Sequence, residues 1–135
     1  TNAGSELVQR YEILFLRAIR EWQPVARPSD GALFELILQE TAQGQGADVR
    51  RAINEVAIPA WSEAGASVCG VFDVMSGYSL PGAAFLLAWP DMATRMKTVT
   101  AVQARLGGLR AADGRTPLLQ RADQYLMQAV PVDWK

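Results

Sequence analysis

The stretch Phe34-Glu35-Leu36-Ile37-Leu38-Gln39-Glu40-Thr41 decides the fold. In an extended chain Phe34, Leu36 and Leu38 fall on one side, and Glu35, Ile37 and Gln39 on the other. A period of two with one strongly apolar side predicts a strand, with Phe34, Leu36 and Leu38 laid on a core. The loop Gln43-Gly44-Gln45-Gly46 ends it. From Ala47 the spacing changes: Val49, Ala52, Ile53, Val56 and Ala60 recur at threes and fours, the stripe of an amphipathic helix. Arg50, Arg51, Asn54 and Glu55 fill the opposite side. Pro59 is expected to kink or finish this helix, since it has no N–H and crowds the preceding turn. Glu63-Ala64-Gly65 reads as the stop.

Working outward, Ser67 to Met75 is rich in Val and Phe and predicts a second strand, with Cys69 inside it. The run Ser76-Gly77-Tyr78-Ser79-Leu80-Pro81-Gly82 is dense in turn formers and reads as a hairpin loop. Ala83 to Trp89 closes the hairpin. Pro90-Asp91 opens a second helix, where the Asp91 carboxylate can accept the free amide hydrogens of the first turn. Met92, Met96, Val99, Val102 and Leu106 are its expected buried stripe, and Gly107-Gly108 its end. After Asp113-Gly114 and Pro117, residues Leu118 to Val130 offer a last strand or a strand plus a short helix. Strand, helix, strand, strand, helix, strand is the split β-α-β order of a ferredoxin-like α+β fold: an antiparallel sheet with both helices on one face.

Residues 1–32 stand outside this unit, as an N-terminal extension to a domain over residues 33–135. Leu7, Tyr11, Leu14, Phe15, Ala18 and Trp22 match helical spacing, yet Tyr11 to Ile19 is also rich in strand formers. Val8-Gln9-Arg10 … Trp22 echoes Leu119-Gln120-Arg121 … Trp134 with a one-residue offset. The extension is therefore either a helix packed outside the sheet or the last strand of a preceding repeat.

Composition closes more functions than it opens. The chain has 135 residues, 13 Lys+Arg against 14 Asp+Glu, a net charge of −1 and no histidine. Half its residues are hydrophobic and 20% charged, the make-up of a globular domain able to bury a core. Near-zero charge supplies no basic field for nucleic acid. Absent histidine removes Ser-His-Asp and Cys-His nucleophile systems and His-ligated metal or haem. A lone Cys69 cannot form an internal disulfide. No Gly-rich turn leads into Lys-Ser or Lys-Thr, so no phosphate loop is read. Asp73, Asp91, Asp113 and Asp123 are too scattered for a metal cage. Ala83–Trp89, the longest apolar run, is far short of the ~20 residues of a spanning helix, and Thr1 to Glu6 is no signal peptide. A cytoplasmic protein without cofactor, nucleic-acid partner or membrane insertion is expected.

Helices cover one face of such a sheet. The uncovered face is expected to carry Glu35, Ile37 and Gln39, then Cys69, Val71 and Asp73, then Phe85, Leu87 and Trp89, then Tyr125 and Met127. An apolar surface of that size is rarely left exposed, so the sheet is expected to pack on a second one, in a homodimer or against a tandem half. A chamber between the sheets would suit a small hydrophobic ligand.

With these residues in view, Phe34 to Gly107 resembles a NIPSNAP-type domain of the dimeric α/β-barrel superfamily. The matching features are Phe34-Glu35-Leu36, a helix ending in Ile58-Pro59-Ala60-Trp61, Cys69-Gly70-Val71-Phe72, and Phe85-Leu86-Leu87-Ala88-Trp89-Pro90-Asp91 running into the second helix. The resemblance implies dimeric ferredoxin-like barrels. The wider superfamily holds cofactor-independent monooxygenases, polyketide cyclases and haem-handling enzymes, so it implies no single reaction.

Glu35 and Asp73 are the candidate catalytic groups, since a carboxylate in an apolar chamber can act as general acid or base. The bland alternative has one or both meet solvent at the barrel rim or pair with Arg95, Arg105 or Arg121. Gln39, Trp61, Cys69, Phe85, Trp89 and Tyr125 are the candidate pocket residues; aromatic side chains there serve as readily for packing, and Cys69 as a small core residue. Two functions stay open: a barrel that binds, or transforms by cofactor-independent acid/base chemistry, a small hydrophobic or aromatic molecule; and a non-catalytic assembly module whose barrel is filled by its own side chains.

Overall fold

The computed structural model describes residues 11–20, 32–77 and 80–128. Its elements are β1 (Leu16–Ala18), β2 (Leu33–Thr41), α1 (Gly46–Ala52), a π-helical stretch (Ile53–Ala57), α2 (Ile58–Glu63), β3 (Ser67–Val74), β4 (Gly82–Trp89), α3 (Met92–Gly107) and β5 (Leu119–Gln128). The strands form one antiparallel sheet in the order β1-β3-β4-β2-β5. Apart from β1 this is the ferredoxin-like order, and the α+β fold expected from the sequence is the one observed. The last strand read over Leu118 to Val130 is β5 as far as Gln128; Ala129 and Val130 lie outside the described residues.

Two details of the helices differ from expectation for physical reasons. Pro59 neither kinks off nor ends the first helix. It has no N–H to give Glu55, and its ring would crowd that carbonyl. The chain widens ahead of it instead, with the Ile58 N–H bonding the Ile53 carbonyl, so Pro59 enters in the first turn of α2, where the missing N–H costs nothing. The extra residue shifts the buried stripe: Ala57 is fully buried, while Val56 is half-buried. It also brings Trp61 onto the sheet. In α3 the buried positions are Arg95, Val99, Val102 and Leu106. Met92 and Met96 are exposed, because the stripe runs through Arg95, one residue out of step with a purely apolar reading.

The helix ends follow sequence chemistry. Asp91 caps α3, its Oδ1 accepting the Thr94 N–H at 2.7 Å, and Gly65 closes α2. The Gly65 N–H bonds the Ser62 carbonyl and the Ala66 N–H that of Trp61, the reverse turn that a left-handed residue permits. Residues 11–20 are extended, not helical. Ile19 N–H bonds the Val71 carbonyl and Met75 N–H that of Phe15, so the segment zips onto the free edge of β3. The rest of Leu7–Trp22 lies outside the described residues.

The main core lies between the sheet and the helices. Leu33, Ile37, Val71, Phe85, Leu87 and Trp89 pack there on Val49, Ile53, Trp61, Val99, Val102 and Leu106. The face of the sheet is thus the reverse of the one expected. Glu35, Ile37, Gln39, Phe85 and Trp89 point at the helices, and Phe34, Leu36 and Leu38 away from them.

Gly65 (φ +101°) and Gly44 (φ +74°) separate backbone strain from crowding. A Cβ at Gly65 would sit 2.9 Å from Thr94 Cγ2, whereas one at Gly44 meets nothing within 4 Å. Gly44→Ala is expected to cost about 1 kcal/mol of unfolding free energy and Gly65→Ala roughly 2–3 kcal/mol, measured by urea denaturation. Equal losses would show that the Thr94 contact carries nothing.

Hydrogen bonds from the Thr94 amide lower the Asp91 pKa, and those from the Thr116 hydroxyl and the Thr116 and Arg115 amides lower that of Asp113. Each group stabilises the fold above the ordinary Asp pKa, and the effect is lost as pH falls through the lowered value. Asp91→Asn and Asp113→Asn should therefore cost least in strong acid, and thermal unfolding from pH 7 down to about pH 2 should show their gap to the wild type closing.

Candidate functional site

Four places bring the chemistry-bearing residues together, and three lie on the helix side of the sheet. The first is buried. Glu35 on β2 is fully buried. Its Oε1 accepts the Trp89 Nε1–H at 2.9 Å and the Arg95 Nε–H at 3.0 Å, and its Oε2 accepts Arg95 Nη2 at 2.7 Å. The fork of Arg95 thus meets both carboxylate oxygens, the geometry in which a buried ion pair is satisfied. Hydrogen bonds from Glu35 push the Arg95 pKa further upward, so the guanidinium stays charged. Trp61 meets Trp89 edge to face, with centroids 6.0 Å apart and planes at 86°.

Asp73 is also on the helix side, opposite Arg17 of β1 and Ala83 of β4. Arg17 Nη2 approaches it at 3.1 Å and Arg50 Nη2 at 3.0 Å. The three form one wall of a cleft of about 320 Å³ that runs past Gly44, Gly46 and Gly82. Both candidate carboxylates are therefore neutralised by arginine, and neither faces the uncovered sheet. Arg95 is one of the bland partners read from the sequence; Arg17 and Arg50 are not.

A second cavity, about 210 Å³, lies between β2, β5, α2 and the C-terminal half of α3. Gln39 and Trp61 both line it. Gln39 Nε2 donates to the carbonyls of Glu40, Gln120 and Arg121 at 3.0–3.2 Å. It thereby staples β2 to β5 where their register shifts between Gln39 and Thr41. Trp61 is 2% exposed, yet among the described residues its Nε1–H has no hydrogen-bond partner. Leaving such a donor unsatisfied costs about 1–3 kcal/mol.

The fourth place is the face of the sheet away from the helices. Pairing register sets it out in rows: Met127, Phe34, Ala88 and Ser67; then Tyr125, Leu36, Leu86 and Gly70; then Asp123, Leu38, Ala84 and Phe72. Of the pocket residues expected here only Tyr125 arrives, at 49% exposure, with Met127 two residues on. Phe85 and Trp89, each 1% exposed, belong to the main core because the helices cover the other side of β4. Cys69 sits buried in the bulge where β3 and β4 change register, its Sγ 3.6 Å from the Ser67 carbonyl. Burial raises its pKa and keeps it a thiol.

The sequence reading named Arg95 as a partner but missed its place in the buried 95/99/102/106 stripe, four before Val99. It also missed Arg17 and Arg50 as partners of Asp73; nothing in the spacing marks them. Among the described residues no cluster of three His, Cys, Asp or Glu side chains could hold a metal ion, and no helix is long and apolar enough to cross a membrane.

This architecture is that of a ferredoxin-like α+β domain with helices on one face of the sheet and, among the described residues, no helix on its other, apolar face. No protein-family model matches the sequence, and no curated protein matches it. Solved structures do. An uncharacterized NIPSNAP-like domain protein from Burkholderia xenovorans superposes with a TM-score of 0.57 at 12% identity, over 78% of this chain and 90% of that one. An uncharacterized NIPSNAP domain protein from the same organism gives 0.55 at 14%, over 76% and 99%. Protein Atu4242 from Agrobacterium tumefaciens gives 0.54 at 12%, over 73% and 93%. At such identities the likeness is one of fold: the chain has the fold of a NIPSNAP-type domain.

The Glu35–Arg95 pair yields a direct test. Arg95→Met strands a buried carboxylate and is expected to cost about 3–5 kcal/mol, whereas Glu35→Leu/Arg95→Met should recover most of that loss. A urea double-mutant cycle measures both. Additive losses would mean the two side chains do not depend on each other.

Proposed function

We propose that the chain is a non-catalytic NIPSNAP-type pairing module that works as two copies packed sheet to sheet. The observation that carries this reading is the inversion of β2. Its more apolar side, Phe34, Leu36 and Leu38, faces away from the helices, and the side with Glu35 and Gln39 faces them. A monomer gains nothing by turning its most hydrophobic strand face outward; a two-fold pair buries it twice. Four long strands at about 4.8 Å spacing and eight residues at about 3.4 Å make a face of roughly 500 Å². Two such faces cover roughly 1,000 Å² before side-chain relief is added, the lower end of what a specific interface buries.

The acid/base alternative loses its groups. Glu35 and Asp73 lie across the sheet from the pairing face and are bound to arginines. The carboxylate on the pairing face, Asp123, is paired with Arg121 at 3.3 Å on its own strand. The phenol of Tyr125 is the polar group at the β5 end of the central row. A cytoplasmic setting and the lack of a nucleic-acid or membrane partner belong to the same reading.

Sedimentation equilibrium tests it. The wild type should be dimeric at tens of micromolar, and Leu86→Asp should raise the dissociation constant by about a hundredfold or more, with its circular dichroism unchanged, because an unpaired charge would have to be buried. A monomeric wild type at about 100 µM, at the weak end of specific association, sinks the proposal. Phe85→Asp is not the variant to use: Phe85 is in the main core, and its loss unfolds the chain.

A further inference from the structure

We infer that the cleft walled by Arg17, Arg50 and Asp73 binds a small organic monoanion, a monocarboxylate on a single-ring apolar body. The cleft lies across the sheet from the pairing face, so the inference stands whatever the oligomeric state. Its charge is unbalanced. Arg17, Arg50 and Asp73 are the charged groups among the described residues that line it, two cations against one anion. Both arginines donate through Nη2 to the same Asp73 oxygen, Oδ2, at 3.1 and 3.0 Å. Asp73 thus holds two like charges side by side, a repulsion that a second anion would relieve. A guanidinium has five N–H donors, and among the described residues each of these two bonds only through Nη2. The remaining donors are within reach of a ligand, since the Arg17 and Arg50 side chains are 67% and 44% exposed.

The far side of the cleft supplies a neutral polar group. Thr41 is 6% exposed, and its hydroxyl bonds to nothing among the described residues. Among those residues Trp61 Nε1 is the buried side-chain atom that lacks both a partner and any open surface. The Thr41 hydroxyl therefore keeps surface, and the cleft is the opening that Thr41 borders. The start of β4 separates the two ends: the Thr41 N–H bonds the Pro81 carbonyl on one side, and Asp73 pairs with Ala83 on the other. Two strand spacings, about 10 Å, thus lie between the arginine end and the hydroxyl. Val49 and Ile53 give the space an apolar surface. A volume of about 320 Å³ is at the lower end for small-molecule sites, which start at about 300 Å³, so the body is one ring rather than two. An excess of one positive charge matches a carboxylate, whose two oxygens also fit the arginine fork. A phosphate dianion would leave negative charge uncompensated beside Asp73.

Phenylacetate is the probe, titrated into the full chain at neutral pH and low salt and followed by NMR shifts of the residues lining the cleft. It should saturate with a dissociation constant of about 1 mM or tighter, while its neutral isostere phenylacetamide and inorganic phosphate bind about tenfold more weakly or not at all. Arg50→Gln leaves Arg17 and Asp73 in balance and should weaken phenylacetate by about tenfold, the scale of a lost charge-assisted contact. Arg50→Lys, which keeps the charge, should retain most of the binding and so separates lost charge from damage to the fold. 4-Hydroxyphenylacetate carries a hydroxyl toward Thr41 and should bind several-fold more tightly than phenylacetate, an advantage that Thr41→Val removes without weakening phenylacetate itself. Phenylacetate that fails to saturate, is matched by phenylacetamide or phosphate, or binds Arg50→Gln undiminished overturns the inference. So does a hydroxyl advantage that is absent or that survives Thr41→Val.

Discussion

The bidentate contact between Glu35 and Arg95 is the constraint on which the rest of the fold depends. A carboxylate fully removed from water must have its charge and lone pairs met, or it will not be buried. Here Arg95 meets both oxygens and Trp89 adds the third hydrogen bond. That arrangement ties β2 to β4 and to α3 at one point, and the edge-to-face contact of Trp61 on Trp89 carries it to α2. It also fixes parity. Once Glu35 points at the helices, so do Ile37 and Gln39, and Phe34, Leu36 and Leu38 are turned outward.

The order of elements was legible because the period changes and the breaks are chemically sharp. Val49 to Ala60 cannot be read as a strand, and Gly44, Gly65 and Gly108 stand at or beside the ends of elements. The face of the sheet was not legible, since β2 is apolar on both sides and hydrophobicity alone selects the wrong one. What would have decided it is a pairing across the chain: Glu35, mid-strand among apolar residues, with Arg95, the lone Arg in the apolar stripe of α3. The π-helical stretch is hidden for another reason. Its cause, Pro59, is plain, but proline ahead of a buried Trp61 is met equally well by ending the helix or by widening it. Only packing on the sheet chooses.

The sheet separates two kinds of chemistry. On the helix side, carboxylate charge is present but spent: Glu35 on Arg95, and Asp73 on Arg17 and Arg50. On the uncovered side the three rows are apolar but for Ser67, Asp123 and the Tyr125 phenol, with no buried ionisable group to shift toward neutral pH. General acid/base work needs a carboxylate whose charged form is disfavoured by its surroundings. Glu35 and Asp73 are instead engaged by arginine side chains within hydrogen-bonding distance. The same residues that looked catalytic in the sequence therefore serve to hold the domain together.

β5 is where the two sides of the sheet meet most openly. Among the described residues it is the outer strand of the sheet, bonded to β2, and most of its residues are exposed. Its alternation sends Ala122, Gln124 and Leu126 to the helix side and Asp123, Tyr125 and Met127 to the uncovered face, as their partners Gln39, Ile37, Glu35 and Leu38, Leu36, Phe34 require. One strand thus contributes to both the cavity and the apolar face without any side chain serving in both. The Gln39 amide, reaching across to the carbonyls of Gln120 and Arg121, holds this strand at the shift in register. A looser β5 would open the cavity and roughen the face together, so the precision of both rests on a staple made by a single buried glutamine.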